Sequence, residues 1–194
     1  MAGFGFRNHD GTVVQPIKCI ALAGEANILG KGDAVILGGS SGSIGKDKVV
    51  PSITLASAGA GNALYGFIVG FEQHNVASGL SLDRTHRPAE TAMYCLVEPF
   101  VPGARYRIQA DGALAATDVG GLLNLATLAD ADTVTGISKM QASAASIDVG
   151  GLSTNEQMRL LGVVDDGNNA ITDSTPDVIV QINNLQTVNA SAGL

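Results

Sequence analysis

The chain predicts a mainly β protein, a β-barrel or β-sandwich of short antiparallel strands with an extended N-terminal arm. Three observations carry that expectation. Apolar, β-branched runs of about five to seven residues recur, separated by Gly, Asp and Asn turns. The 194 residues include 25 glycines and only 15% charged residues, which suits tight turns around a packed core rather than disorder. No alternation of strand and helix of the kind a parallel doubly wound sheet needs is visible. With aromatics at 4% and no Trp, Ala, Val, Ile and Leu must fill most of the core.

Residues 1–11 carry two Gly-Phe pairs and read as an arm. Phe4 and Phe6 are its candidate anchors, because exposed phenylalanines need cover from the same chain or from a neighbour. Residues 12–62 form an N-terminal β segment, either a separate unit or part of the main β domain over 63–189, with a loose tail at 190–194. Pro16 marks the strand at 13–22 as an edge strand. Residues 34–37 (AVIL) read as a short buried strand, and residues 49–55 and 64–73 as two more. Gly66 and Gly70 inside the last predict a bulge or the close approach of another backbone. A strand at 93–97 opens the segment YCLVEPFVPGARYRIQADG, residues 94–112. This predicts a β-hairpin turned by Pro99, Pro102 and Gly103, with Arg105 and Arg107 on one face of the second strand. Residues 113–128 admit a short helix interrupted by Gly120 and Gly121. DVGGL occurs twice, at 118–122 and 148–152, and predicts two similar loops. Strands at 158–164 and 178–183 complete the set.

Several enzyme-like patterns fail on their chemistry. SSGSIGKD at 40–47 lacks the first Gly of a phosphate loop and carries Asp47 where a hydroxyl should reach magnesium. GAGNAL at 59–64 lacks the third Gly of a dinucleotide fingerprint. DDGNNAITD at 165–173 is rich in oxygen ligands but lacks the spacing of an EF-hand loop and reads as a turn. His9, His74 and His86 share no metal-ligand spacing. The expectation is no catalytic residue, no metal and no cofactor. Cys19 and Cys95, the only cysteines, read as two free buried thiols. A net charge of −7 argues against nucleic-acid binding. The apolar runs are too short for a membrane-spanning helix, and no signal peptide is recognised. Candidate partner-binding residues are Phe4 and Phe6, the cluster of Arg84, His86 and Arg87 as an inter-subunit salt-bridge patch, and Arg105 with Arg107.

From about residue 64 to 184 the chain resembles tailed-phage head decoration (cement) proteins and related small virion structural proteins. The resemblance rests on LYGFIVGFEQ, the YCLVEPFVPGARYRIQADG segment, DVGGLLNL, TNEQMRLLGVVDDGNN and the closing DVIVQINN. It implies a β module that binds the outer surface of an icosahedral capsid, often as a homotrimer, and stabilises it by bridging neighbouring subunits. The implied partner is the major capsid protein, and the implied location is the virion surface after assembly in the host cytoplasm. No residue motif of that family transfers position by position. A head–tail connector accessory, a fibre base and a non-viral β-rich binding module are the alternatives.

Overall fold

A computed structural model describes residues 5–11, 14–44, 48–72, 85–126, 130–150 and 155–186. The strands, in chain order, are β1 (Arg7–Asn8), β2 (Ile17–Ala21), β3 (Ala34–Gly42), β4 (Val50–Leu55), β5 (Gly66–Glu72), β6 (Met93–Pro99), β7 (Arg105–Gln109), β8 (Leu122–Leu123), β9 (Met158–Val163) and β10 (Asp177–Ile182). A single 3-10 turn, Ala116–Asp118, stands where the sequence admits a short helix, and a second 3-10 turn lies at Ala144–Ser146. Strands β2–β6 close a five-stranded barrel in the order β2-β4-β3-β5-β6, and the other five form a sheet ordered β1-β7-β10-β9-β8. Among the described residues the strands pair antiparallel except β2 with β4.

The barrel explains where several expectations shift. Pro16 precedes β2 instead of interrupting it, so Ile17–Ala21 is free to pair on both sides, with β4 and with β6. It is therefore not an edge strand. The barrel draws on strands from both 12–62 and 63–99, so those ranges are parts of one unit. The change of sheet comes at the corner after Pro99.

That corner also corrects the hairpin. β6 belongs to the barrel and β7 to the sheet, and neither pairs with the other. Gly103, at φ 83°, lets the chain turn out of the barrel. The Tyr106 hydroxyl accepts the Val101 N–H at 2.8 Å and ties the corner back on itself.

One core serves both sheets. Along β10, Val178, Val180 and Ile182 point inward while Asp177, Ile179 and Gln181 point out, the period of two expected of a strand with one wet face. Phe67 from the barrel, Phe100 from the corner, Tyr106 from the sheet and Phe6 from the N-terminal segment make an aromatic cluster. Phe6 and Phe100 lie edge-on with centroids 4.9 Å apart, as do Phe100 and Tyr106. Such contacts contribute about 1 kcal/mol each beyond the area they bury.

Gly66 and Gly70 do what their positions predict. A Cβ on Gly66 would sit 2.3 Å from the Glu98 carbonyl oxygen, so the close approach of β6 requires glycine there. The β5–β6 register slips between Ile68 and Gly70.

Candidate functional site

The described part of the N-terminal segment, residues 5–11, lies on its own chain. Arg7 and Asn8 pair with Arg107 and Tyr106, and the His9 N–H donates to the Arg105 carbonyl at 3.1 Å. Phe6 is 1% exposed in the aromatic cluster. Its ring has no surface left to offer a partner, which corrects its reading as an outward anchor. Phe4 and Arg84 lie outside the described residues.

The charged cluster divides. His86 is half-buried, its Nδ1 3.3 Å from the Thr85 hydroxyl. Arg87 is completely buried. Its Nε donates to the Thr91 carbonyl at 2.7 Å, Nη1 to the Glu25 and Asn27 carbonyls at 2.7 Å each, and Nη2 to the Leu22 carbonyl at 2.8 Å. Burial lowers its pKa. Two backbone bonds between Arg87 and Leu29 hold the residue in line. This guanidinium closes the 22–27 connection onto 87–91 from inside, so Arg87 is an internal clamp and not an inter-subunit contact.

Arg105 and Arg107 do share the solvent side of β7, as the strand period requires. Arg105 donates from Nε to Asp10 at 2.8 Å, and that bond holds the Asp10 carboxyl below its usual range. Arg107 pairs with Asp177 and approaches Asp166 at 3.9 Å. Asp166 belongs to the oxygen-rich 165–173 loop and Asp177 follows it, and the shape of the loop comes from Asn169. Asn169 donates to the Val164 and Asp177 carbonyls and accepts the Asp177 N–H, all at 2.8 Å. Through Asp166 this loop meets the Arg107 guanidinium. Among the described residues, no three His, Cys, Asp or Glu side chains gather as metal ligands.

The phosphate-loop-like segment begins inside a strand, because Ser40 and Ser41 belong to β3. The Ser40 and Ser52 hydroxyls bond at 2.7 Å across β3 and β4. Residues 45–47 lie outside the described set. Cys19 and Cys95 are free and buried, and they face each other as direct partners across β2 and β6. Burial pushes their thiols up to about 11 and about 12, respectively.

Asp33 and Gln157 are among the buried polar residues that escaped sequence reasoning. Asp33 is 1% exposed; its Oδ2 accepts the Gly30 N–H at 2.6 Å and its Oδ1 lacks a partner. Desolvation pushes its pKa up to about 6. Gln157 donates to the Ser57 and Asn62 carbonyls at 2.8 and 2.9 Å and accepts the Leu125 N–H at 2.9 Å, fastening barrel to sheet. Neither side chain differs in sequence from an ordinary turn residue, so no local pattern marked them.

The outer surface has a distinct apolar feature. Asp132 Oδ1 accepts the N–H groups of Val134 and Thr135 and the Thr135 hydroxyl. The Thr135 N–H is the main reason its carboxyl lies below its usual range. This pinned turn presents Val134 at 85% exposure and Ile137 at 40%. Ile137 lines an open groove of about 280 Å³ with Ile68, Val69, Arg7 and Lys31. Comparison with known proteins finds no matching family model, no matching curated protein and no matching solved structure.

Proposed function

We propose that this chain is a structural virion protein that binds the outside of an icosahedral phage capsid and stabilises it by bridging neighbouring major capsid subunits, as a homotrimer. The observation that carries the reading is the pinned apolar turn beside its groove. Val134 and Ile137 hold exposed apolar surface in a fixed geometry, which costs a free protein solubility and gains when a partner covers it. The scaffold behind the turn supports the same reading. A barrel and a sheet that share one core present their loops rigidly, and repeated modest contacts add up on a symmetric lattice. The segments that carry the resemblance supply β5, β6, β7, β9 and β10, which meet at that shared core.

The test is reconstitution. Particles stripped of this protein are mixed with the purified chain and sedimented, and their resistance to heat or osmotic shock is measured. The reading expects saturable binding, a more resistant particle and weaker binding by Val134→Asp. A protein that stays in the supernatant at every concentration overturns it.

A further inference from the structure

The pinned turn that carries Val134 sits on residues 28–33, and a buried carboxyl lies beneath that seat. Bonds run both ways between the two segments. The Ala131 N–H donates to the Ile28 carbonyl at 3.1 Å, the Lys31 N–H to the Gly136 carbonyl at 2.8 Å and the Ser138 N–H to the Lys31 carbonyl at 2.9 Å. The Ile28 N–H donates in return to Asp130 Oδ1 at 2.8 Å. The fit is close: a Cβ on Gly30 would stand 2.5 Å from the Ala131 Cβ and 2.9 Å from the Gly136 carbonyl oxygen. Asp33 holds Gly30 there from inside, since its Oδ2 accepts the Gly30 N–H at 2.6 Å while Oδ1 has no partner. Ser138, completely buried at the end of the turn, stands beside the same carboxyl. We propose that Asp33 puts the docking of this turn under proton control: neutral Asp33 keeps residues 130–138 seated, and ionised Asp33 lets them lift away. The inference rests on the capsid-binding reading for its use, as a regulation of the surface that Val134 and Ile137 present.

Ionising a carboxyl that is 1% exposed leaves Oδ1 charged and unpaired in the interior. Lifting the turn admits water and relieves that state. The charges on the surrounding segments do not supply a counter-ion. Asp130, on the facing segment, is negative and opposes ionisation. Lys31, Lys139 and Arg7 are exposed, and Asp132 spends Oδ1 on its own turn. From β5 the neighbours are Phe67 and Ile68, the latter donating its N–H to the Asp33 carbonyl at 2.9 Å. The Gly30 N–H and the Ser138 hydroxyl favour the charged form, but burial outweighs both. The seated state therefore binds the proton more tightly than the open one. Seating is most favourable below pH 3.8, weakens as pH rises to about 6, and stays weakened above that. With 3.8 for the open state and about 6 for the seated one, opening rises about tenfold between pH 5 and pH 7.5.

The experiment is amide hydrogen exchange on the full chain, resolved by NMR at pH 5 and pH 7.5 and corrected for intrinsic rates. In wild type the Lys31, Ala131 and Ser138 amides are expected to lose about tenfold in protection at the higher pH. They should also be less protected than the paired amides of β7 and β10, because the opening is local. In Asp33→Asn, of the same shape and without the charge, protection should be equal at both pH values. Protection that ignores pH in wild type, or that falls equally in the Asn variant, overturns the proposal. So does equal protection at the seat and in the β7–β10 pair, since the opening would then be global unfolding. If Asp33→Asn does not fold, wild type decides the matter alone. The Asp33 carboxyl carbon and the Ser138 amide must then titrate together near pH 6, and separate midpoints overturn the proposal. Stripped particles at pH 5 separate the two readings. A wild type that opens with pH as stated but ignores particles sinks the capsid reading alone. One that binds particles with exchange independent of pH sinks the proton-control inference alone.

Discussion

Replacing Arg87 removes a buried guanidinium that serves four backbone carbonyls at 2.7–2.8 Å. Arg87→Met keeps most of the side-chain volume and removes every donor. The Leu22 and Glu25 carbonyls each accept another bond, from the Glu25 and Glu90 N–H groups, so they stay partly satisfied. The Asn27 and Thr91 carbonyls each lose a bond from a charged donor, worth about 1.5–3 kcal/mol. Relief from burying a cation returns part of that loss. The expected net destabilisation is about 3 kcal/mol, or a fall of roughly 6–12 °C in Tm for a chain of this size. Arg87→Lys should lie between wild type and Met, since one compact ammonium cannot reach four carbonyls spread around a planar fork. Equilibrium urea unfolding, followed by circular dichroism, measures both. A Met variant within about 0.5 kcal/mol of wild type would refute the clamp.

Three further predictions come from the interior. Asp33 has a folded pKa of about 6 against an ordinary 3.8, so the folded state holds its proton more tightly. Its burial therefore costs nothing below pH 3.8, a growing amount between 3.8 and 6, and about 3 kcal/mol above that. Asp33→Asn should raise the urea midpoint at pH 7 and change it little at pH 4; the same shift at both pH values would contradict the assignment. Gly66→Ala should destabilise by about 3 kcal/mol because its Cβ meets the β6 backbone, whereas Gly70→Ala, with its nearest atom 3.7 Å away, should be tolerated. Equal midpoints for the two variants would remove the close-approach argument. Both thiols should resist a disulfide reagent at pH 8 in the native protein and react fully in denaturant, since each is buried and protonated there. Stoichiometric labelling without denaturant, or an intact mass two hydrogens lighter, would contradict this.

The strands were legible wherever burial and period coincide. β5, β6, β9 and β10 fall within a residue or two of their apolar runs, because side-chain alternation is a local property of the chain. Gly66 was legible for the same reason, as a residue without a side chain inside a strand. The exchange between sheets after Pro99 was not. A Pro/Gly corner looks the same whether the next strand folds back on the last or leaves for another sheet. The charged residues were least legible. Arg87 sits in a polar stretch like any loop arginine, and its role depends on carbonyls some 60 residues earlier in the chain. Phe6 and Arg105 illustrate both outcomes. Burial of Phe6 follows from a tertiary groove no local pattern encodes, while the outward face of Arg105 follows from strand period alone. The two DVGGL copies meet, as Leu122 and Asp148 exchange backbone bonds at 3.0 and 2.8 Å. Repetition in sequence hinted at similar loops, but not that they would join.

A lattice-wide role is a matter of number, and copies per particle decide it. Particles from the source of this chain are purified, and the protein is quantified against the major capsid protein by mass spectrometry with isotope-labelled peptides. A decoration role gives copies on the scale of the capsid lattice, near-stoichiometric with the capsid subunit. About a dozen copies per particle would assign the chain to a connector or fibre instead, and its absence from the particle would contradict a virion role altogether.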